Sequence, residues 1–424
     1  MYRKAKEVAT MAIKQAKNLR LYDLKGTLLN DLLEYPDNKL KPFDLIGKLI
    51  AFAEKHAVHG DCWQYYTAYF IASNVNAFSL ACERRESVDG ALLEFAYDDC
   101  RILMEVFNTS PTFLPTMENS LKLIKNFKST LTQSSLPYAH LVANFACKLT
   151  ACNNTQAFLD AVVEFYRTYG VGELGLNKAF RVVDDNKSAK LIPITCMDNK
   201  RLDDLVGYDL QKQKVLQNTK AFLDGKKANN VLLYGDMGTG KSSTIKALIN
   251  EFYEDGLRVI ELYKHQFMHI SDLISKIACR NYKYILYLDD LSFDDFEVEY
   301  KYFKAIIDGG LEVKPDNVLI YATSNRRHLI KEHYSDGNDI DPMDELHKSD
   351  TKNEKLSLVA RFGLSIYYPS PDQQEFLNIV HELAKRYDIQ INEAILDQKA
   401  LTWAIRNGMK SGRMAEQFVH SLLH

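Results

Sequence analysis

The residues best suited to chemistry lie in one run, Val231 to Ile245, reading VLLYGDMGTGKSSTI. An apolar stretch that suits a buried strand, Val231 to Tyr234, passes into Gly235-Asp236-Met237-Gly238-Thr239-Gly240-Lys241-Ser242-Ser243, and a helical pattern follows. Strand, glycine-rich loop and helix in that order make a phosphate-binding loop. A polyphosphate has to be wrapped by backbone N–H groups, and Gly235, Gly238 and Gly240 keep side chains out of that approach. The helix starting near Lys241 turns its free N–H groups and positive dipole end toward the same anion. Lys241 can reach the β and γ phosphates, and the Ser242 hydroxyl suits Mg2+.

Two further strand ends carry groups that such a loop needs. Tyr284 to Leu288 is a mostly apolar run delivering Asp289 and Asp290 to its tip. Taken alone, an Asp-Asp pair reads as a solvated strand end. Downstream of a phosphate loop, Asp289 is placed to hold Mg2+ through its water shell, and Asp290 to orient or deprotonate an attacking water. Asn325 ends the run Tyr321-Ala322-Thr323-Ser324-Asn325, where a short amide can bond both the attacking water and a γ-phosphate oxygen without adding charge. The acid-rich stretch His333 to Lys355 lacks the spacing and terminal Glu of an EF-hand, so Asp336, Asn338, Asp339 and Asp341 read as a surface loop. Seven scattered cysteines without a C-x-x-C pair read as reduced, mostly buried thiols, with zinc a distant second.

These groups need a scaffold, and the strand pattern provides one. Runs at Arg258 to Leu262, Tyr284 to Leu288, Asn317 to Thr323 and Leu364 to Tyr367 join Val231 to Tyr234 as strands, with helical patterns between several of them. That order predicts an α/β fold, a parallel sheet with helices on both faces and its chemistry at the carboxyl ends of the strands. The core is expected over 201–369, with Arg201 to Gly225 approaching the phosphate loop. A helical segment is expected over 370–424, after Pro369 and Pro371.

Ahead of the core, 1–170 shows apolar residues at three- and four-residue spacing in Lys39 to Val58, Gly90 to Phe107, Met117 to Leu131 and Thr155 to Tyr169. An all-α N-terminal domain is expected there, without a catalytic constellation, and with recruitment or regulation as its role. Residues 171–200 read as a junction with short strands at Ala179 to Val183 and Leu191 to Thr195. Cys62 to Cys82 has no charge for 21 residues, yet Gln64, Thr67, Ser73, Asn74, Asn76 and Ser79 would be costly in lipid, so no membrane span is expected. The first twenty residues lack the apolar run of a secretory signal and read as a first helix, with an amphipathic targeting helix as the alternative, while the reduced thiols point to the cytoplasm.

The chain's 424 residues leave room for two or three domains, and 46% hydrophobic with 26% charged residues suits globular ones. A net charge of -3 argues against a protein that coats nucleic acid.

The arrangement resembles the AAA+ ATPases over about 201–424: phosphate loop, strand ending in acids, strand ending in Asn325, and a C-terminal helical lid. The resemblance implies Asn325 as the sensor-one residue and Arg413, in Ser411-Gly412-Arg413, as the sensor-two residue reaching the γ-phosphate from the lid. It also implies that Gly207-Tyr208 lies beside adenine. Arg361, in EKLSLVARFGLSI, is implied as an arginine finger offered to a neighbouring subunit, hence a homo-oligomer. A structural arginine is the alternative reading of Arg361, and Arg326 and Arg327 are rival fingers. The family's second acid is usually Glu, whereas Asp290 is one methylene shorter, which points to slow hydrolysis or a switch.

Leu202 to Ser243, EKLSLVARFGLSI and SGRMAEQF are similar to the bacterial family called Domain of Unknown Function 815, described as predicted AAA+ ATPases. The expectation is an ATP- and Mg2+-dependent ATPase remodelling a protein partner gripped by the helical N-terminal domain. Two alternatives remain. Lys226-Lys227, Lys264-His265 and Arg326-Arg327-His328 offer charge to a nucleic-acid loader, although no dense basic tract is present. An ATP-dependent switch or scaffold is the other.

Overall fold

The computed structural model describes residues 11, 14–33, 42–109, 123–132, 134, 136–185, 188–293, 298–308, 315–325 and 359–423. Arg326, Arg327, His328 and the acid-rich stretch 333–355 lie outside these residues. The chain divides into two compact units, Met1–Lys178 with Pro193–Cys196, and Ala179–Ile192 with Met197–His424.

The first unit is built on helices α1 (Leu28–Leu33), α2 (Pro42–Lys55), α3 (Cys62–Ser73), α4 (Ala77–Glu83), α5 (Gly90–Asn108), α6 (Ala139–Thr150), α7 (Thr155–Tyr169) and α8 (Gly172–Leu176). The uncharged stretch 62–82 forms two of them, because its polar residues cap and turn the chain. Asp61 accepts from the Trp63 and Gln64 N–H groups to start α3, and Asn76 with Ser79 forms the capping box that starts α4. Inside α3 the Thr67 hydroxyl donates to the Trp63 carbonyl, so burial leaves it satisfied. Trp63, Phe78, Phe107, Phe158 and Tyr166 fill the core, with the Trp63 indole N–H donating to Val106 O at 2.8 Å. Among the described residues no helix is long and apolar enough to cross a membrane.

Two sequence expectations need correction in this unit. Phe127–Lys128 (β2), inside the helical expectation 117–131, is extended and pairs antiparallel with His59–Gly60 (β1). The Ser129 N–H also donates to Val58 O, so tertiary pairing overrides the local spacing. Of the seven cysteines, all of them free, Cys62, Cys82 and Cys100 are buried, Cys152 is intermediate, and Cys147, Cys196 and Cys279 are exposed. Thiol burial here follows helix face and turn position rather than residue type. Burial pushes the Cys62 thiol up to about 12 and the Cys82 thiol up to about 11, so neither is reactive near neutrality.

His56 sits in this core, 4% exposed, among the rings of Phe52, Tyr65, Tyr69 and Tyr138. Desolvation first, with Lys55 adding to it and a hydrogen bond to Phe52 O opposing, holds its pKa at about 4 instead of 6.5. The unfolded chain therefore binds the extra proton between those values, and stability present above pH 6.5 is lost as pH falls toward 4. The expected loss is up to about 3 kcal/mol. Urea unfolding followed by Trp63 fluorescence, in a Trp403→Phe background, should show this slope, and His56→Phe should flatten it.

The second unit is organised by a seven-stranded sheet in the order β4-β3-β6-β7-β8-β5-β9. The strands are β3 (Ala179–Asp185), β4 (Ser188–Pro193), β5 (Val231–Gly235), β6 (Leu257–Glu261), β7 (Lys283–Leu288), β8 (Val318–Ser324) and β9 (Leu364–Tyr368). From β3 to β9 every pairing is parallel. The strands at 179–185 and 188–193 are thus the last two at one edge of the sheet, with Phe180 and Val182 buried. All seven residues of β8 are buried, as a central strand covered on both faces requires. Helices α9 (Asp209–Leu223), α10 (Lys241–Phe252), α11 (Ile270–Ala278) and α12 (Val298–Asp308) complete the α/β core. A lid of α13 (Gln373–Arg386), α14 (Glu393–Arg406) and α15 (Gly412–Ser421) packs around its own core of Phe376, Val380, Leu396, Ala400, Ala415 and Val419.

Candidate nucleotide-binding site

β5 lies between β8 and β9, while β7, which carries the acids, lies on the far side of β8. The loops leaving the carboxyl ends of β5, β7 and β8 therefore meet at one rim of the sheet.

At the end of β5, Gly235 has φ +137°, and a Cβ there would sit 2.1 Å from Tyr368 O. The Asp236 N–H donates to that same carbonyl at 3.2 Å, so β9 backs the phosphate loop. The Asp236 carboxylate accepts from Ser370 N at 2.9 Å and from its hydroxyl at 2.8 Å, tying the loop to the chain that enters the lid. Gly238, at φ +74°, is pressed by the lid: an added Cβ would lie 2.8 Å from Ser411 Oγ and 3.3 Å from Arg413 Cβ. The Thr239 hydroxyl closes the loop on itself by donating to Asp236 O.

Gly240 precedes α10, whose first residue is Lys241. Lys241 is 6% exposed, and its Nζ donates to Gly235 O at 2.9 Å and Asp236 O at 2.6 Å. Desolvation lowers its pKa, and Asp236, Asp290 and Asp289 work against that. The ammonium is thus held folded onto the loop's own carbonyls, ready to exchange them for anionic oxygens.

Ser242 Oγ donates to Asp289 Oδ1 at 2.7 Å. The same carboxylate oxygen accepts from Thr323 Oγ1 at 2.7 Å. Burial works to raise the Asp289 carboxyl, and hydroxyl donors including Thr323 and Ser242 outweigh it, so the group lies below its usual range. Asp290 follows with φ +51°, a left-handed conformation, and its Oδ1 accepts from Asn325 Nδ2 at 2.8 Å.

Around these groups lies a cavity of about 590 Å3. Of the residues expected at the site, Gly207, Tyr208, Met237, Gly238, Thr239, Gly240, Lys241, Ser242, Ser243, Asp289, Asp290, Asn325 and Arg413 line it. Gly235 and Asp236 stand behind the loop. Arg361 is exposed in the turn before β9 and is not among the described lining residues.

Gly207 and Tyr208 both have positive φ, and Tyr208 stacks on Tyr368 at 5.2 Å while its hydroxyl donates to Pro369 O. With Leu205, Val206, Ile379 and Leu383 they make the apolar side of the cavity. Arg386 of the lid donates to the Asp203 and Asp204 carbonyls, and Lys200 pairs with Glu416 at 2.7 Å. The lid therefore clasps the strap 200–208.

Sequence reasoning missed Thr323, Ile379, Leu383, Arg386 and Glu416. The lid residues follow no motif, only the apolar spacing of an ordinary helix. Thr323 was hidden because its partners are 33 and 34 residues away, and only the register Leu288↔Ala322 sets it opposite Asp289.

Among the described residues no group of three or more His, Cys, Asp or Glu could hold an ion alone. Ser242 and Asp289 offer two converging hard oxygens, which fits Mg2+ when phosphates and waters complete its shell.

The family model described as Protein of unknown function (DUF815) matches residues 176–424. No curated protein matches the chain. Among solved structures, it is similar to the RuvB Holliday junction branch migration motor of Thermotoga maritima, at 19% identity and a TM-score of 0.35, over 52% of this chain and 63% of that one. It is also similar to a DNA replication initiation factor, at 16% identity and a TM-score of 0.36, over 54% of this chain and 65% of that one. The chain thus spans less than two thirds of either structure.

Proposed function

We propose that this chain, which belongs to the family described as Protein of unknown function (DUF815), is an AAA+ type ATPase that couples a Mg-ATP cycle to remodelling of a protein partner held by its helical N-terminal unit. One observation carries the ATPase reading: Lys241, the Ser242–Asp289 pair, the Asp290–Asn325 pair and Arg413 face a single cavity at the rim of a parallel sheet.

The base and ribose lie on the apolar side, between Tyr208 and Leu383, and the phosphates lie in the loop. Lys241 leaves the Gly235 and Asp236 carbonyls to grip the β and γ phosphates, and loop N–H groups take the remaining oxygens. Ser242 and Asp289 would hold Mg2+, which would supply neutralisation of phosphate charge when bound. Asp290 takes the proton of the water that attacks the γ phosphorus, as the bond to the bridging oxygen breaks and ADP leaves. Asn325 orients the Asp290 carboxylate, and Arg413 brings a lid charge to the γ-phosphate. Arg361 acts across a subunit interface.

A slowly hydrolysing switch is the second reading. Its support is Asp290, whose short side chain is anchored to Asn325 from a left-handed backbone. The loader reading has less to stand on, since Lys226 is paired with Asp224 at 3.0 Å.

The test is steady-state ATPase activity together with molar mass, with and without ATP, over a range of protein concentration. Turnover that rises steeply with concentration alongside a nucleotide-dependent oligomer supports the motor. A monomer that binds ATP and barely hydrolyses it selects the switch. If Arg361 acts in trans, mixing Arg361→Ala with Asp290→Ala subunits restores part of the hydrolysis that each lacks alone. A co-assembled mixture without any restoration assigns Arg361 to its own domain.

A further inference from the structure

Thr323 is 2% exposed at the end of β8 and has no place in the roles given so far. A threonine hydroxyl has one proton to give and lone pairs to accept with. Here the proton goes to Asp289 Oδ1 at 2.7 Å, and a lone pair accepts the Asp290 N–H at 2.9 Å. The Thr323 carbonyl accepts the Leu291 N–H at 2.7 Å. One residue therefore holds three consecutive positions after β7, and the middle one, Asp290, sits at φ +51°. Aspartate is among the few non-glycine residues that enter that region, and the bonds from Thr323 and Asn325 hold it there. Asn325 meets the Asp290 side chain from the same strand end, so β8 supports both acids, the first at its carboxylate and the second at backbone and side chain.

We propose that Thr323 is a positioning residue, whose single hydroxyl sets the distance and orientation between the Asp289 and Asp290 carboxylates. The inference rests on reading the cavity as a Mg-ATP site. It adds that hydrolysis and Mg2+ dependence are governed together by a side chain that acts through the two acids it holds. A hydroxyl is required because the two partners demand opposite roles of one atom: an acceptor for the Asp290 N–H and a donor for the Asp289 carboxylate. Valine keeps the shape and supplies neither. Serine supplies both.

The experiment compares the full-length wild type with Thr323→Val and Thr323→Ser, using ATP in EDTA, ATP with titrated Mg2+, and steady-state hydrolysis. For Thr323→Val the expected result is an unchanged ATP affinity in EDTA. The half-saturating Mg2+ concentration for ATP binding should rise roughly 10-fold, and kcat should fall roughly 10- to 100-fold with little change in KM, the range seen when a partner of a metal-binding side chain is removed. Thr323→Ser restores both. Thr323→Ala, which also lacks the hydroxyl, serves as the second variant should valine disturb packing, and the backbone bond to Leu291 survives in all of them. A Thr323→Val protein with wild-type Mg2+ dependence and kcat overturns the proposal, as does a Thr323→Ser protein no better than the valine variant. Wild-type protein that binds no ATP in either condition overturns the nucleotide reading itself, a result distinct from both.

Discussion

Lys241→Ala is expected to remove ATP binding from the micromolar range altogether. The lysine ammonium is folded onto the phosphate loop, held by the Gly235 and Asp236 carbonyls at 2.9 and 2.6 Å. Its transfer to phosphate oxygens forms charge-assisted bonds in a partly desolvated site, a contribution of about 3 kcal/mol or more, which is roughly a 100-fold loss of affinity on truncation. The nucleotide-free fold should tolerate the change, since two loop hydrogen bonds disappear together with the cost of keeping a charge 6% exposed. Calorimetric titration with ATP, beside a thermal melt of the free protein, checks both halves. Unchanged affinity would remove Lys241 from the phosphate site.

Asp290→Asn is expected to separate binding from turnover. Asparagine is nearly the same size and tolerates the left-handed backbone that Asp290 adopts at φ +51°, so the turn after β7 and the bond to Thr323 should survive. Its amide oxygen can still accept from Asn325, but it cannot take a proton from water. Loss of a positioned general base costs roughly 100- to 10,000-fold in kcat, with ATP affinity kept. Single-turnover hydrolysis against equilibrium binding measures the split. If the wild type itself hydrolyses no faster than Asp290→Asn, the switch reading takes the place of the motor.

Much of this site was legible before any fold was known, and the reason is local chemistry. Glycines at 235, 238 and 240, followed by Lys241 and Ser242, describe a loop whose type is written in its own residues and the helix it starts. The strand periods of 231–234, 284–288 and 317–323 were equally local, because a strand buried on both faces must be apolar along its length. The helical reading of 117–131 failed at Phe127–Lys128 for the converse reason: a two-residue pairing with His59–Gly60 is decided by the partner, some seventy residues away.

By itself, then, the sequence determined which groups share the cavity at the sheet rim, Lys241, Ser242, Asp289, Asp290 and Asn325, since each is named by its own motif or strand end. The tertiary structure decided how they are held. Placing β8 between β5 and β7 put Thr323 against both acids, and pairing Gly235 with Tyr368 set the chain that enters the lid against the phosphate loop. The lid's Arg386 and Glu416 closed on the strap 200–208 through backbone carbonyls and a lysine. Such contacts depend on strand order and register, which no residue encodes alone, and they arise only when the whole sheet has formed.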